Sequence, residues 1–190
     1  MTRMLIIGPP GSGKGTQAAR ISERLGVVAI STGDIFRDNV RRETPLGVEA
    51  KRFMDAGDVV PDTVTNSMVR DRLAADDVQE GFLLDGYPRT ASQVAELDDI
   101  LRENDLALDV VLQLTADDEE LVKRLLGRAK LDGRSDDNER VIRHRLGLYQ
   151  DQTAPVVSRY DERGIVTRVD GLGTIDEVTE RVMTALKVAS

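Results

Sequence analysis

Apolar residues gather in short clusters along this chain. Met4-Leu5-Ile6-Ile7 stops at Gly8, and Phe82-Leu83-Leu84 closes at Asp85. Residues 27–30, 110–114 and 165–169 form three more. Runs this short, with little polar alternation, suit strands covered on both faces. Between them apolar positions recur every three or four residues, which predicts helices over 14–25, 35–43, 46–56, 62–74, 90–104, 117–126, 139–160 and 175–188. Gly26 ends the first helix, and Pro45, Gly57 and Pro61 separate the next three. Pro155 falls inside the 139–160 pattern and predicts a kink or break there. Residues 127–138 are polar, carry Gly127 and Gly133, and read as a connection. Strands alternating with helices predict an α/β fold with a five-stranded parallel sheet, right-handed crossovers and a ligand at the carboxyl ends of the strands. Three helices between the second and third strands exceed one crossover, so residues 31–60 are expected to project as an insertion.

A length of 190 residues allows about one domain of ~150 residues plus that insertion. Aromatic residues are only 3% and Trp is absent, so the core must be Val, Leu, Ile and Ala. With 26 basic against 34 acidic residues the net charge is −8, which argues against nucleic-acid polymers and anionic membranes as partners. The absence of Cys excludes disulfides and thiolate metal sites and fits a reducing compartment. The apolar run at 4–7 is too short for a signal or membrane segment, so a soluble cytoplasmic protein is expected. The cations are 21 Arg and 5 Lys. Arg is the planar fork that suits phosphate, and position decides whether the excess has a use.

Position is informative at Gly8-Pro9-Pro10-Gly11-Ser12-Gly13-Lys14, which matches G-x-x-x-x-G-K directly after a strand and at the start of a helix. Glycines let successive backbone N–H groups curl around an anion, and the helix N-terminus adds its dipole. Lys14 reaches the β/γ-phosphates of a nucleotide in such a loop. The next position, where Ser or Thr would ligate Mg²⁺, is Gly15, with Thr16 one place later. Asp85, closing the third strand, is placed to hold Mg²⁺ directly or through water, or alternatively to accept a backbone N–H in the turn. Arg89 follows Pro88, with Gln93 one helical turn on, and Arg37 lies one turn after Asp34. Arg124 and Arg128 are spaced i, i+4 and point the same way, Arg134 sits in the polar stretch, and Arg145 follows on the next helix. Ser135-Asp136-Asp137-Asn138 offers N-cap chemistry for that helix, with Asp136 or Asp137 expected as the cap. His144, the single histidine, lacks a partner pattern and reads as structural.

Three segments occur in order: Gly8-Pro-Pro-Gly-Ser-Gly-Lys-Gly-Thr16; Ser31-Thr-Gly-Asp34 with Arg37; and Gly81-Phe-Leu-Leu-Asp-Gly-Tyr-Pro-Arg-Thr90 with Gln93. With Gly127-Arg128, Arg134-Ser-Asp-Asp137, Arg145, Thr153-Ala-Pro155 and Asp170-Gly171 they resemble the adenylate kinase family across the whole chain. Gly15 is that family's usual residue. The resemblance implies a three-layer P-loop sandwich made of residues 1–30, 61–127 and 139–190, an AMP-binding segment at 31–60 and a short lid at 128–138. It implies reversible transfer of the terminal phosphoryl group of ATP to AMP, giving two ADP, with Mg²⁺ accompanying ATP.

Gly11, Ser12, Gly13, Lys14, Gly15, Thr16 and Gly173 would then contact ATP, and Arg124 and Arg128 its phosphates. Arg37 and Arg89 would clamp the AMP phosphate, and Thr32 and Gln93 would read its base. Backbone at Asp58, Val59 and Val60 would close over that base, with Gly86, Tyr87 and Pro88 near the nucleotide. Arg134 and Arg145 would bridge donor and acceptor, so that Lys14, Arg89, Arg124, Arg128, Arg134 and Arg145 carry the catalysis. Many relatives have a longer lid, some with four Cys holding zinc. This lid, about eleven residues without Cys, implies a zinc-free form, and the family implies a monomer. Gly57, Gly127 and Gly133 are hinge candidates by residue type. A UMP/CMP or other nucleoside monophosphate kinase is the alternative within the class, with Thr32 and Gln93 favouring adenine over pyrimidine. A nucleotide-dependent switch without an acceptor site is the alternative outside it, against which Gly15 and the Arg37, Arg89 and Gln93 set argue.

Overall fold

The carboxyl end of strand β1 (Thr2–Ile7) lies at the middle of a five-stranded sheet of order β2-β3-β1-β4-β5. The computed structural model describes the backbone of residues 2–132 and 138–189, and their side chains except those of 130–132 and 188–189. The remaining strands are β2 (Val28–Ser31), β3 (Gly81–Asp85), β4 (Val110–Thr115) and β5 (Val166–Asp170), and every pairing is parallel. Ile6, one residue before the end of β1, pairs with Asp85, and Ser31 pairs with Asp85 from the other side, so three strands end at one edge.

Successive side chains on a strand point to opposite faces, which is why these runs need no polar alternation. Leu5, Ile7, Phe82, Leu84 and Val111 face one way, toward Val69 and Leu73 of α4 (Asp62–Leu73), Val94 and Leu97 of α5 (Ala91–Glu103) and Val156 and Tyr160 of α8 (Ala154–Asp161). Met4, Ile6, Leu83, Leu112 and Leu114 face the other way, toward Ile21 of α1 (Lys14–Leu25) and Val178, Val182 and Leu186 of α9 (Ile175–Ala189). The result is the α/β fold with three layers.

Residues 31–60 hold α2 (Thr32–Arg41) and α3 (Pro45–Ala56). Ser31 caps α2 by accepting from the Asp34 N–H, and Thr44 caps α3 with Pro45 following in its first turn. Phe36, Ala50 and Val60 form a small apolar cluster of their own, with Leu46 and Phe53 against it. The two helices meet closely at Gly47, where a Cβ would stand 2.1 Å from the Asn39 carbonyl oxygen. α4, the third helix between β2 and β3 and outside residues 31–60, packs on the main sheet.

Three boundaries differ from the sequence reading. The helix expected over 117–126 is α6 (Asp118–Asp132), running through Gly127. One glycine costs a helix only about 1 kcal/mol, and Arg128, Ala129, Lys130 and Leu131 are all good helix formers. The long helix expected over 139–160 is two, α7 (Glu139–Leu148) and α8, joined by a π-helical turn over Tyr149–Thr153. Pro155 then lies in the first turn of α8, where no N–H is needed. Asn138, rather than Asp136 or Asp137, caps α7, accepting from the Val141 N–H at 3.1 Å. Asp136 and Asp137 lie outside the described residues. Among the described residues no helix is long and apolar enough to cross a membrane.

Leu112 is fully buried between the sheet and α9. Leu112→Ala should lower stability by about 2–5 kcal/mol, seen as a lower urea midpoint with an unchanged slope.

Candidate active site

A glycine-rich turn joins β1 to α1. Gly13, at φ 90°, caps the helix without a side-chain hydrogen bond, leaving the first helical amides to an outside acceptor. This turn borders a cleft of about 880 Å³ at the carboxyl ends of the strands. Pro10, Gly11, Ser12, Gly15 and Thr16 line it from the turn and from α1, and Gly171, Gly173, Thr174 and Ile175 from beyond β5.

Lys14 bends back over the loop and donates to the carbonyls of Gly8 (2.7 Å) and Pro9 (3.0 Å). Burial lowers its pKa to about 8; Asp85 partly opposes this, while Arg89, Arg145 and Arg128 add to it. Burial likewise raises the Asp85 carboxyl above its ordinary range, against the pull of Lys14 and Arg89. Asp85 Oδ1 is buried and accepts no hydrogen bond, and neither does the Ser12 hydroxyl find a partner. A turn-stabilising carboxylate would use that oxygen; an oxygen left bare beside a phosphate-sized cleft fits a hydrated cation. Among the described residues no group of three or more His, Cys, Asp or Glu could hold a metal by itself.

Arg37, Arg89, Arg124, Arg128 and Arg145 line this one cleft. Arg124 is held by the Gly171 carbonyl (3.0 Å) and by Glu120 (3.3 Å), Arg89 Nε donates to the Gly86 carbonyl (2.8 Å), and Arg37 pairs with Asp34 (2.5 Å). Arg134, the sixth arginine singled out from the sequence, lies outside the described residues. Beside the cleft is a smaller pocket of about 70 Å³, bordered by Thr32 and Phe36 of α2, by Asp58, Val59 and Val60, and by Gln93 of α5. Arg37, Arg89, Arg145 and Gly86 border both spaces. Thr32 donates to the Asp85 carbonyl at 3.3 Å. Tyr87 turns its ring into the core, donates to Asn66 at 2.8 Å and borders, with Pro88, a further small cavity beneath.

Some partnerships at the site have no signal in the sequence. His144, read as structural, approaches Asp58 Oδ1 at 2.6 Å and ties the pocket wall to α7 beside Arg145. Gln17 donates to the Ile175 carbonyl (3.1 Å) and accepts from Thr179 (2.9 Å), joining α1 to the start of α9. Asp62 accepts from Gln93 (2.6 Å) and Thr90 (3.1 Å). These partners lie 28 to 162 positions apart, beyond any local spacing.

The family model of adenylate kinase matches residues 6–165. An adenylate kinase of Pseudarthrobacter chlorophenolicus is 76% identical to the chain, over 100% of it and 98% of that protein. One of Renibacterium salmoninarum is 73% identical over 98% of the chain and 96% of its own length, and one of Thermobifida fusca 55% identical over 97% and 98%.

The lowered pKa of Lys14 makes its ammonium a cost to the ligand-free fold. With a folded value near 8 against 10.5 unfolded, the cost is fully present below pH 8 and fades as the pH rises toward 10.5. In phosphate-free buffer Lys14→Met should therefore melt higher than the native protein at pH 7, with the gap narrowing above pH 8. A lower melting point at pH 7 with a gap that ignores pH would contradict this.

Proposed function

The chain belongs to the adenylate kinase family and is a phosphotransferase moving the terminal phosphoryl group of ATP to AMP, and we propose that it does so across the arginines shared by its two adjoining spaces. In this reading ATP occupies the large cleft, with its phosphates over Gly11, Ser12, Gly13, Lys14, Gly15 and Thr16 and its base near Gly173. AMP occupies the small pocket, its base beside Thr32 and Gln93 and under Asp58, Val59 and Val60. The observation that carries the assignment is that Arg37, Arg89 and Arg145 border both spaces. A switch would need only the first space.

An oxygen of the AMP phosphate attacks the γ-phosphorus in line. The new P–O bond forms as the bond to the β,γ-bridging oxygen breaks, and that oxygen stays with the departing ADP. The attacking phosphate is already ionised, so neither a protein nucleophile nor a base is required. Catalysis is then positioning and charge neutralisation. Lys14 exchanges the Gly8 and Pro9 carbonyls for phosphate oxygens, which offsets the cost of holding its ammonium there. Arg89 holds the acceptor, Arg124 and Arg128 hold the donor, and Arg145 and Arg134 span the transferring group. Asp85 would hold Mg²⁺ through water at its bare Oδ1, and the ion would supply further neutralisation of the donor phosphates. Closure of residues 128–138 and 31–60 over both substrates keeps water from taking the phosphoryl group. The protein acts as a cytoplasmic monomer with a zinc-free lid.

A coupled assay with ATP, Mg²⁺ and each nucleoside monophosphate should yield ADP with AMP, and UMP or CMP as the preferred acceptor would overturn the reading. Arg89→Ala should lower kcat/KM by roughly 10³-fold or more with the melting point retained; unchanged turnover would remove the acceptor clamp. Metal analysis of the purified protein should find no stoichiometric zinc.

A further inference from the structure

Gln93 is fully buried at the wall of the small pocket, and both ends of its side-chain amide are engaged. Nε2 donates to Asp62 Oδ1 at 2.6 Å, and Oε1 accepts from the Arg89 backbone N–H at 2.7 Å. Asp62 is itself fixed: it opens α4, and its Oδ2 accepts from the Thr90 hydroxyl at 3.1 Å, while the Thr90 oxygen caps α5 by accepting from the Gln93 N–H at 3.2 Å. A primary amide looks almost symmetrical and can turn over by 180°, exchanging its donor and acceptor ends. Here that turn is blocked twice. It would set Oε1 against a carboxylate that only accepts, and Nε2 against a backbone N–H that only donates. The burial of Gln93 keeps water from relieving either clash.

We infer that Asp62 is a specificity-positioning residue: by fixing which way the Gln93 amide faces, it makes the pocket select a 6-aminopurine monophosphate over a 6-oxopurine one. The inference rests on the small pocket being the acceptor site. After its two protein bonds the amide keeps one N–H and one oxygen lone pair for a ligand. A 6-aminopurine offers a donor at N6 beside an acceptor at N1. A 6-oxopurine offers the reverse, an acceptor at O6 beside a donor at N1. A freely turning amide would serve both edges, whereas a locked one serves a single order and meets the other with donor against donor and acceptor against acceptor. Sites that leave buried polar groups mismatched reject the wrong ligand strongly. Asp62 does not touch the nucleotide in this account; it acts through Gln93.

The test compares AMP with IMP, which differ at the two positions the amide would read. Asp62→Asn keeps the shape but can itself turn to present an N–H, so it removes one of the two blocks. The kcat/KM ratio for AMP over IMP should fall by about tenfold or more, with IMP gaining. In ¹⁵N–¹H spectra, the Gln93 side-chain NH₂ proton facing Asp62 should lose its downfield shift. If Asp62→Asn folds poorly, Asp62→Ser carries the same measurements. A merely structural role would lower both substrates by one factor and leave the ratio alone, and that result overturns the inference. A native protein that does not use AMP would overturn the acceptor-site reading itself. Selective use of AMP with an unchanged ratio in the variant would overturn the inference alone.

Discussion

An ammonium and a carboxylate buried together at the carboxyl end of a parallel sheet set the terms for everything around them. Lys14 and Asp85 are each pushed by burial toward the neutral form, and each is partly held ionised by the other. That arrangement persists only if the backbone beneath it cannot relax, since water would otherwise enter and erase the effect. The fully buried side chains of β1 and β3 (Met4, Leu5, Phe82, Leu83 and Leu84) supply the rigidity, and the pairing of Ile6 with Asp85 fixes how far the carboxylate stands from the loop that carries Lys14. The core is mostly aliphatic, but it is not the Val, Leu, Ile and Ala core expected from the composition. Phe36, Phe82, Tyr87, Tyr149 and Tyr160, five of the six aromatics, are buried, because the few large rings fill the space between packed elements. Its stiffness comes from β-structure covered on both faces.

Around this pair the arginines solve a problem of self-repulsion. Arg37, Arg89, Arg124, Arg128 and Arg145 border one space in a molecule whose net charge is −8. Arg89 donates to the Gly86 carbonyl, Arg124 to the Gly171 carbonyl and Glu120, and Arg37 to the exposed Asp34. A carbonyl or an exposed acid orients a guanidinium without neutralising it in a dry environment. The excess of arginine over lysine thus divides by position. Arg163 and Arg168 form exposed pairs with Asp98 and Asp161, while Arg37, Arg89, Arg124, Arg128 and Arg145 line the cleft.

Most of the sheet and much of the site were legible because their signals are local. The glycine turn, the i, i+4 arginines and the Asp85 terminus each need only a few adjacent residues, and all line the cleft. What the sequence hid falls into two kinds. One is balance within an element: Gly127 reads as a break, yet the helix formers after it carry α6 through, and Asn138 competes with the Asp136 and Asp137 beside it for one cap. The other is pairing across the fold. Asp58 with His144, Gln17 with Thr179 and Asp62 with Gln93 depend on where α4, α7 and α9 come to rest, which no local period encodes. Arg134 and the rest of residues 133–137 lie outside the described residues.

Arg37, Arg89 and Arg145 form a wall common to two spaces, and this has a thermodynamic consequence. Two anions that draw on the same counter-charges cannot bind as independent events. Whichever arrives first partly neutralises the wall, and the second meets a weaker field but also a more ordered set of side chains. The balance of those terms is a single coupling energy, identical for either order of arrival. With the two nucleotides in these spaces as proposed, saturation by one shifts the apparent affinity for the other by one common factor, so the two substrates report on each other even before any chemistry takes place.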